Sequence, residues 1–163
     1  MGKFALEIAC STEYVKQFAA EGEDFRYYLK IKCSQCGDVS ERFLYVCAAV
    51  TVPTKTGRST ANLVGKCKNC SREWTLNILP ESIVPFKAEE EAKGDGYQAI
   101  AVFEVRGCEP AEFEPRKGWK VASSESNATF SDVDLSEGDW ADYDDRASVS
   151  LAIMELTSRF TKR

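Results

Sequence analysis

The chain has 163 residues, 44% of them hydrophobic and 29% charged, which suits one globular domain or two small halves sharing a core. Its net charge of -5 is uneven: residues 1–72 carry 11 lysines and arginines against 7 acidic side chains, whereas residues 73–163 carry 10 against 19. It has no histidine, which excludes Ser-His-Asp and Cys-His catalysis within the chain, HExxH metalloproteases and H-x-E zinc deaminases.

The predicted elements are mostly β. Lys3 to Cys10 alternate, with Phe4, Leu6, Ile8 and Cys10 on one side and Ala5, Glu7 and Ala9 on the other, the pattern of a half-buried strand. Glu7, Glu13 and Lys16 interrupt this N-terminal stretch, so it does not read as a secretory signal. Met1-Gly2 invites a myristoylation reading, but Leu6 stands where that motif needs Ser or Thr. Phe25 to Cys33 alternates more clearly, placing Phe25, Tyr27, Leu29 and Ile31 opposite Arg26, Tyr28, Lys30 and Lys32. Phe43 to Val52 is almost continuously apolar and predicts a strand buried on both faces, ended by Pro53. The polar run from Thr54 to Thr60 predicts a loop. Asn62 to Lys66 then leads into a second cysteine pair, and Trp74, Leu76 and Ile78 define another strand, closed by Pro80.

Residues 85–96, with the run AEEEAK and Gly94-Asp95-Gly96, mark a boundary between halves and leave room for a short helical turn. Gln98 to Arg106 is a strong strand, Glu109 to Gly118 a loop containing Pro110 and Pro115, and Trp119 to Ala122 a brief strand. Ser123 to Ala128 is polar and predicts a mobile segment. Ala147 to Phe160 fits both a helical stripe and an alternating strand, and its Ser, Val and Thr content favours strand. Tyr28 to Cys33 and Val102 to Cys108 share a strand-then-cysteine pattern, a faint internal repeat. No stretch approaches the roughly 18 apolar residues of a membrane helix.

Two C-x2-C pairs carry the chemistry: Cys33 with Cys36 and Cys67 with Cys70, with thirty residues between them. Each pair can form a tight turn with both sulfurs aimed at one metal, and Gly37 supplies the permissive φ such a turn uses. Two turns together give four sulfurs in a tetrahedron, the geometry of structural zinc, although iron also accepts it. A thioredoxin-type dithiol needs only one pair, at a helix start, whereas here the first pair follows a strand. The long interval predicts a metal that clamps two hairpin ends rather than a free-standing finger. Lys32, Lys66, Lys68 and Arg72 flank the sulfurs and either offset the surplus charge of four thiolates or stand as ordinary solvated cations. Cys10, Cys47 and Cys108 lie in or beside apolar strand patterns and read as small buried hydrophobes. Seven cysteines, an odd count, fit reduced thiols in the cytoplasm, with the nucleus second.

Ser131 to Asp145, SDVDLSEGDWADYDD, holds seven acidic side chains and no basic one. The EF-hand template fails there, because Glu137 and Tyr143 stand where it requires Gly and Glu. A solvated acidic loop is the first reading; the second is a partner surface built on Trp140 and Tyr143, and these two aromatics read equally as anchors to the core. Gly94-Asp95-Gly96 precedes a strand and lacks a third glycine, so it is not a dinucleotide loop.

Several longer stretches bear a resemblance. These are Met1-Gly-Lys3, Gly22-Glu-Asp-Phe-Arg-Tyr-Tyr-Leu-Lys30, Lys66-Cys-Lys-Asn-Cys70, Phe103-Glu-Val-Arg-Gly-Cys-Glu-Pro110, Phe130-Ser-Asp-Val133 and Asp139-Trp-Ala-Asp-Tyr-Asp144. In them the chain resembles the eukaryotic CXXC motif-containing zinc-binding proteins along nearly its whole length. The resemblance implies a mostly β single domain of two similar halves with zinc in the first, held by Cys33, Cys36, Cys67 and Cys70. It implies metal and fold, and no enzymatic mechanism.

The expectation is thus a mostly β, sandwich or barrel-like single domain over 1–163, with a zinc-bearing half at 1–86 and a metal-free β half at 97–163. One Zn2+ per chain is expected on the four cysteines. The expected role is a non-enzymatic, intracellular binding or adaptor module, with metal handling or a redox switch as the alternative. A protein partner is expected rather than a membrane or nucleic acid, and the chain is expected to be a monomer.

Overall fold

A computed structural model describes residues 2–55 and 57–163. Met1, with its part in the acylation reading, and Thr56, within the 54–60 loop, lie outside the described residues. The strands, in chain order, are β1 (Gly2–Glu13), β2 (Val15–Ala20), β3 (Tyr27–Cys33), β4 (Leu44–Val46), β5 (Val52–Pro53), β6 (Thr60–Ala61), β7 (Leu63–Lys66) and β8 (Glu73–Ile78). They continue with β9 (Phe86–Lys87), β10 (Gln98–Arg106), β11 (Cys108–Glu114), β12 (Trp119–Ser123), β13 (Thr129–Val133), β14 (Trp140–Asp144) and β15 (Val149–Lys162). The described helix is confined to single 3-10 turns at Pro80–Ser82 and Ala88–Glu90. No helix among the described residues is long and apolar enough to cross a membrane.

A six-stranded antiparallel sheet, ordered β14-β15-β1-β10-β8-β7, forms one wall. Facing it are a three-stranded sheet, β11-β3-β4, and a four-stranded sheet, β13-β12-β2-β9; β5 and β6 pair as a small hairpin. The chain passes between sheets at sharp corners where φ turns positive, at Tyr14 (φ 55°) between β1 and β2 and at Gly107 (φ 77°) between β10 and β11. A Cβ at Gly107 would sit 3.0 Å from the Glu73 carbonyl, so both the turn and the close approach call for glycine. The stretches 1–86 and 97–163 share the six-stranded sheet, in which β1 lies between β15 and β10.

The core is an aromatic chain running from sheet to sheet. Phe86 stacks on Phe18 at 4.9 Å, Phe18 meets Trp119 edge-on at 5.9 Å, and Trp119 meets Phe25 at 4.9 Å. Phe25 then meets Tyr27 at 4.7 Å and Tyr27 meets Phe103 at 5.7 Å. Each such ring hides about 150–250 Å² from water, so this chain supplies much of the force holding the layers together.

The alternation of Phe25 to Cys33 is realised, with Phe25, Tyr27, Leu29, Ile31 and Cys33 all buried. Strand β10 matches its expected span, and the ambiguous C-terminal segment is a strand, β15. Four expectations are corrected. Phe43 to Val52 is not one doubly buried strand: Leu44–Val46 pairs with β3, Tyr45 is exposed, the chain then bends away through a turn closed by Val50 N–H to the Cys47 carbonyl, and Val52 pairs with Ala61 in the small β5–β6 hairpin. Residues 109–118 are not all loop, because Cys108–Glu114 pairs with β3 as β11. Pro110 is tolerated because β11 is an edge strand with a bulge directly after that proline. Ser123 to Ala128 is a tied turn rather than a loose segment, closed by Ser123 N–H to the Ala128 carbonyl. The acidic run 131–145 contains the end of β13 and all of β14, although most of its carboxylates do face solvent.

Strand β2 escaped the sequence reading, since its buried residues, Val15 and Phe18, lie three apart.

Candidate metal centre

The two cysteine pairs occupy matching turns at the ends of different sheets. Cys33 is the last residue of β3, in the three-stranded sheet, and Cys67 directly follows β7, at the edge of the six-stranded sheet. In the first turn Gly37 N–H donates to the Cys33 carbonyl at 2.9 Å, and Cys33 N–H donates to the Asp38 carbonyl at 2.8 Å. The second repeats this: Ser71 N–H to the Cys67 carbonyl at 2.9 Å, and Cys67 N–H to the Arg72 carbonyl at 2.8 Å. The residue after each second cysteine is left-handed, Gly37 at φ 80° and Ser71 at φ 65°. The sequence signalled the first of these through its glycine; the serine concealed the second.

The turns bring all four sulfurs together. Cys33 Sγ lies 3.6 Å from Cys70 Sγ, Cys36 Sγ lies 3.6 Å from Cys67 Sγ, and all four fall within 4.8 Å of one another. The edge of a tetrahedron with zinc–sulfur arms of 2.3 Å is about 3.8 Å. The donor set therefore fits a four-coordinate soft-metal site, and the cysteines are free thiols, not disulfides. Cys33 and Cys67 are buried, whereas Cys36 and Cys70 reach the surface.

Local dipoles prepare part of the cluster for ligation. The Cys36 backbone N–H, followed by that of Gln35, pulls the Cys33 thiol down to about 6, against burial. The Asn69 side chain and the Asp38 N–H lower Cys36. The Arg72 N–H favours the Cys70 thiolate too, but burial and the thiols of Cys33, Cys67 and Cys36 outweigh it and hold Cys70 at about 11. Lys32, Lys66, Lys68 and Arg72 are all exposed around the cluster.

The other cysteines stand apart. Cys47 donates to the Glu23 carbonyl at 3.2 Å and Cys108 to the Thr75 carbonyl at 3.6 Å, both buried. Cys108 pairs with Cys33 across the β3–β11 ladder without joining the four-sulfur cluster. Burial raises Cys108 to about 12; burial, and then the Glu91 charge, raises the half-buried Cys10 to about 12. Trp140 packs edge-on against Phe130 at 5.4 Å, which leaves Tyr143, 49% exposed, as the free aromatic of the acidic run.

One supporting residue gave no readable signal. Gly65, two residues before Cys67, lies directly beneath the indole of its cross-strand partner Trp74, and a Cβ there would fall 2.1 Å from Trp74 Cζ2. That indole also walls a cleft beside the cysteines, together with Ile31, Val39 and Leu44.

Comparison with known proteins bears on the site. The family model described as CXXC motif containing zinc binding protein, eukaryotic, matches residues 5–161. The CXXC motif containing zinc binding proteins of Xenopus laevis and Homo sapiens are 42% and 41% identical to the chain over 162 residues, 99% of each sequence. The crystal structure of C1orf123 is similar at 41% identity with a TM-score of 0.91, covering 99% of this chain and 100% of that one. A hypothetical protein from Plasmodium falciparum shares the fold, with a TM-score of 0.84 at 21% identity over 99% of this chain and 100% of its own.

Proposed function

The chain belongs to the eukaryotic family of CXXC motif containing zinc binding proteins, and from that premise we infer that it is a non-catalytic binding module of the cytoplasm or nucleus, stapled by one structural zinc ion on Cys33, Cys36, Cys67 and Cys70. The observation that carries this reading is the pair of matching turns at the ends of two different sheets, with their four sulfurs within 4.8 Å. A zinc ion there supplies four bonds that tie β3 to the β7–β8 hairpin. The chain's own residues pre-form that tie. Backbone N–H groups of Gln35, Cys36, Asp38 and Arg72 face the sulfurs, and the carbonyls of Cys33 and Cys67 lock each turn. Closing the thirty-residue interval between Cys36 and Cys67 restricts the unfolded chain by roughly 3–4 kcal/mol on the loop-closure relation.

The absence of histidine from the sequence supports a binding role over a catalytic one, since the commonest general base near neutral pH is missing. Function then lies on the surface, toward a protein partner. Zinc content by elemental mass spectrometry tests the first part, with one ion per chain expected. A chelator titration followed by circular dichroism tests the second: zinc and the β signal are lost together if the ion is structural.

The exposure of Cys36 and Cys70 favours a second reading, in which the ion exchanges through its solvent side and the protein handles metal. Zinc leaving with the β signal intact would select it.

A further inference from the structure

The sulfur contacts of the cluster run across the two turns. Cys33 Sγ meets Cys70 Sγ and Cys36 Sγ meets Cys67 Sγ, each at 3.6 Å. Each contact joins a buried sulfur to one that reaches the surface: Cys33 and Cys67 are 3% and 7% exposed, while Cys36 and Cys70 stand open to solvent. An oxidant arriving from outside therefore meets Cys36 or Cys70 first, and a sulfur of the opposite turn lies in contact with whichever it meets. Closing either contact to a disulfide of about 2.05 Å needs an approach of about 1.5 Å, shared between two side chains.

The competing products are disulfides within each turn. Bonds that close a C-x2-C ring are of the readily reduced kind, whereas structural disulfides of a folded domain resist reduction. The crossed pairs lie 37 and 31 residues apart in the chain, the pairs within a turn three. Only the crossed bonds join the end of β3 to the β7–β8 hairpin, the same tie that the ion makes.

We propose that hydrogen peroxide converts this cluster into two crossed disulfides, Cys36–Cys67 and Cys33–Cys70, so that zinc is released while the two sheets stay tied. The proposal rests on the zinc-binding reading of the site and adds an oxidation that gates the ion.

The Cys36 thiolate attacks one peroxide oxygen, the O–O bond breaks, and hydroxide leaves and is protonated to water. The Cys67 thiolate then attacks the sulfur of the resulting sulfenic acid; the S–O bond breaks, and a second hydroxide leaves as water. Two thiolates have lost two electrons to one hydrogen peroxide, with two protons drawn from solvent. Cys70 and Cys33 repeat the sequence with a second peroxide, after which no thiolate of the four is left to hold the ion. The first crossed bond is complete before the second pair reacts, so the tie between the sheets is never absent.

The test uses the zinc-loaded full chain and hydrogen peroxide, without added thiol. Zinc release is followed with a chromogenic chelator, and the product is digested with trypsin without reduction. Trypsin cuts after Lys32, Arg42, Lys66, Lys68 and Arg72, so Cys33 and Cys36 share one peptide while Cys67 and Cys70 fall on two others. Crossed bonds link all three peptides; bonds within the turns leave the first peptide on its own. Complete zinc release is expected with two peroxides consumed per ion, together with the three-peptide mass and fragments placing Cys36 with Cys67 and Cys33 with Cys70. The oxidised, zinc-free chain is expected to keep its β circular dichroism and to melt at least about 5 °C above the reduced chain stripped by chelator, a difference that dithiothreitol removes. Bonds within the turns, bonds between chains, the other crossed pairing, zinc retained at about tenfold excess of peroxide, or a melting point no higher than that of the stripped chain would overturn the proposal. Zinc content before oxidation separates the two levels. A chain that carries no zinc when purified without chelator removes the zinc-binding reading and this proposal together, whereas any of the contrary outcomes in a zinc-loaded chain removes this proposal alone.

Discussion

Gly65→Ala is the most informative single change outside the cysteines. A methyl at this position would lie 2.1, 2.5 and 2.7 Å from three carbons of the Trp74 indole, distances that unstrained structures do not contain. The ring must retreat by more than an ångström to restore ordinary contact, and Trp74 is only 6% exposed. Glycine on an edge strand covered by a cross-strand aromatic is a known way of pinning register, and filling that space forces the two strands apart. Overpacking of this kind costs about 2 kcal/mol, which lowers Tm by roughly 4–8 °C in a chain of this size. The strand that moves runs directly into Cys67, so zinc affinity is expected to fall as well. Thermal melts of the zinc-loaded parent, Gly65→Ala, Trp74→Phe and the double variant form a cycle. A coupling of at least about 0.5–1 kcal/mol is expected, because phenylalanine reaches less far over residue 65. A Tm for Gly65→Ala within a degree of the parent, or strictly additive single changes, would refute this account of the β7–β8 pair.

The two turns make a paired prediction. Nothing lies within 4 Å of a Cβ at Gly37, so Gly37→Ala tests backbone conformation alone and is expected to cost about 1 kcal/mol in denaturant unfolding. Ser71→Gly relieves the same left-handed strain and is expected to stabilise by up to about 1 kcal/mol. Asp144 is buried and accepts from the Ser123 and Ser126 hydroxyls at 2.6 Å each and from the Arg146 and Ala147 N–H groups at 3.0 and 3.2 Å, contacts that hold its carboxyl below the usual range, the Ser123 hydroxyl foremost. A lowered folded-state pKa gives stability that is present above about pH 3.9 and lost as pH falls through the folded value. Asp144→Asn is therefore expected to melt below the parent at pH 7, and the gap should close on acidification through that window. Trp140→Ala is expected to cost about 2 kcal/mol through its lost contact with Phe130, whereas Tyr143→Ala should leave Tm within a degree, both read by calorimetry.

The metal centre was legible because its information is local. A C-x2-C spacing dictates a turn, and two such turns with a thirty-residue interval dictate a clamp. Strands such as Phe25 to Cys33 and Gln98 to Arg106 were legible because one face is buried and period two survives in the sequence. What failed depends on partners far along the chain. Pro110 looked like a loop residue, but β3 accepts β11 as an edge strand with a bulge. The run 131–145 looked like a solvated loop because the sequence does not show that Ser123 and Ser126 satisfy Asp144, or that β14 pairs with β15. The tail of Phe43 to Val52 is apolar enough for a strand, yet among the described residues only Leu44–Val46 finds a partner in β3.

The central claim is that four sulfurs converge on one ion and tie two sheets together. Zinc K-edge X-ray absorption on the purified protein measures the coordination shell directly. Four sulfur neighbours at about 2.3 Å, with no nitrogen or oxygen, are predicted. A shell of two sulfurs completed by oxygen or nitrogen, or absence of the metal from protein isolated without chelator, would contradict it.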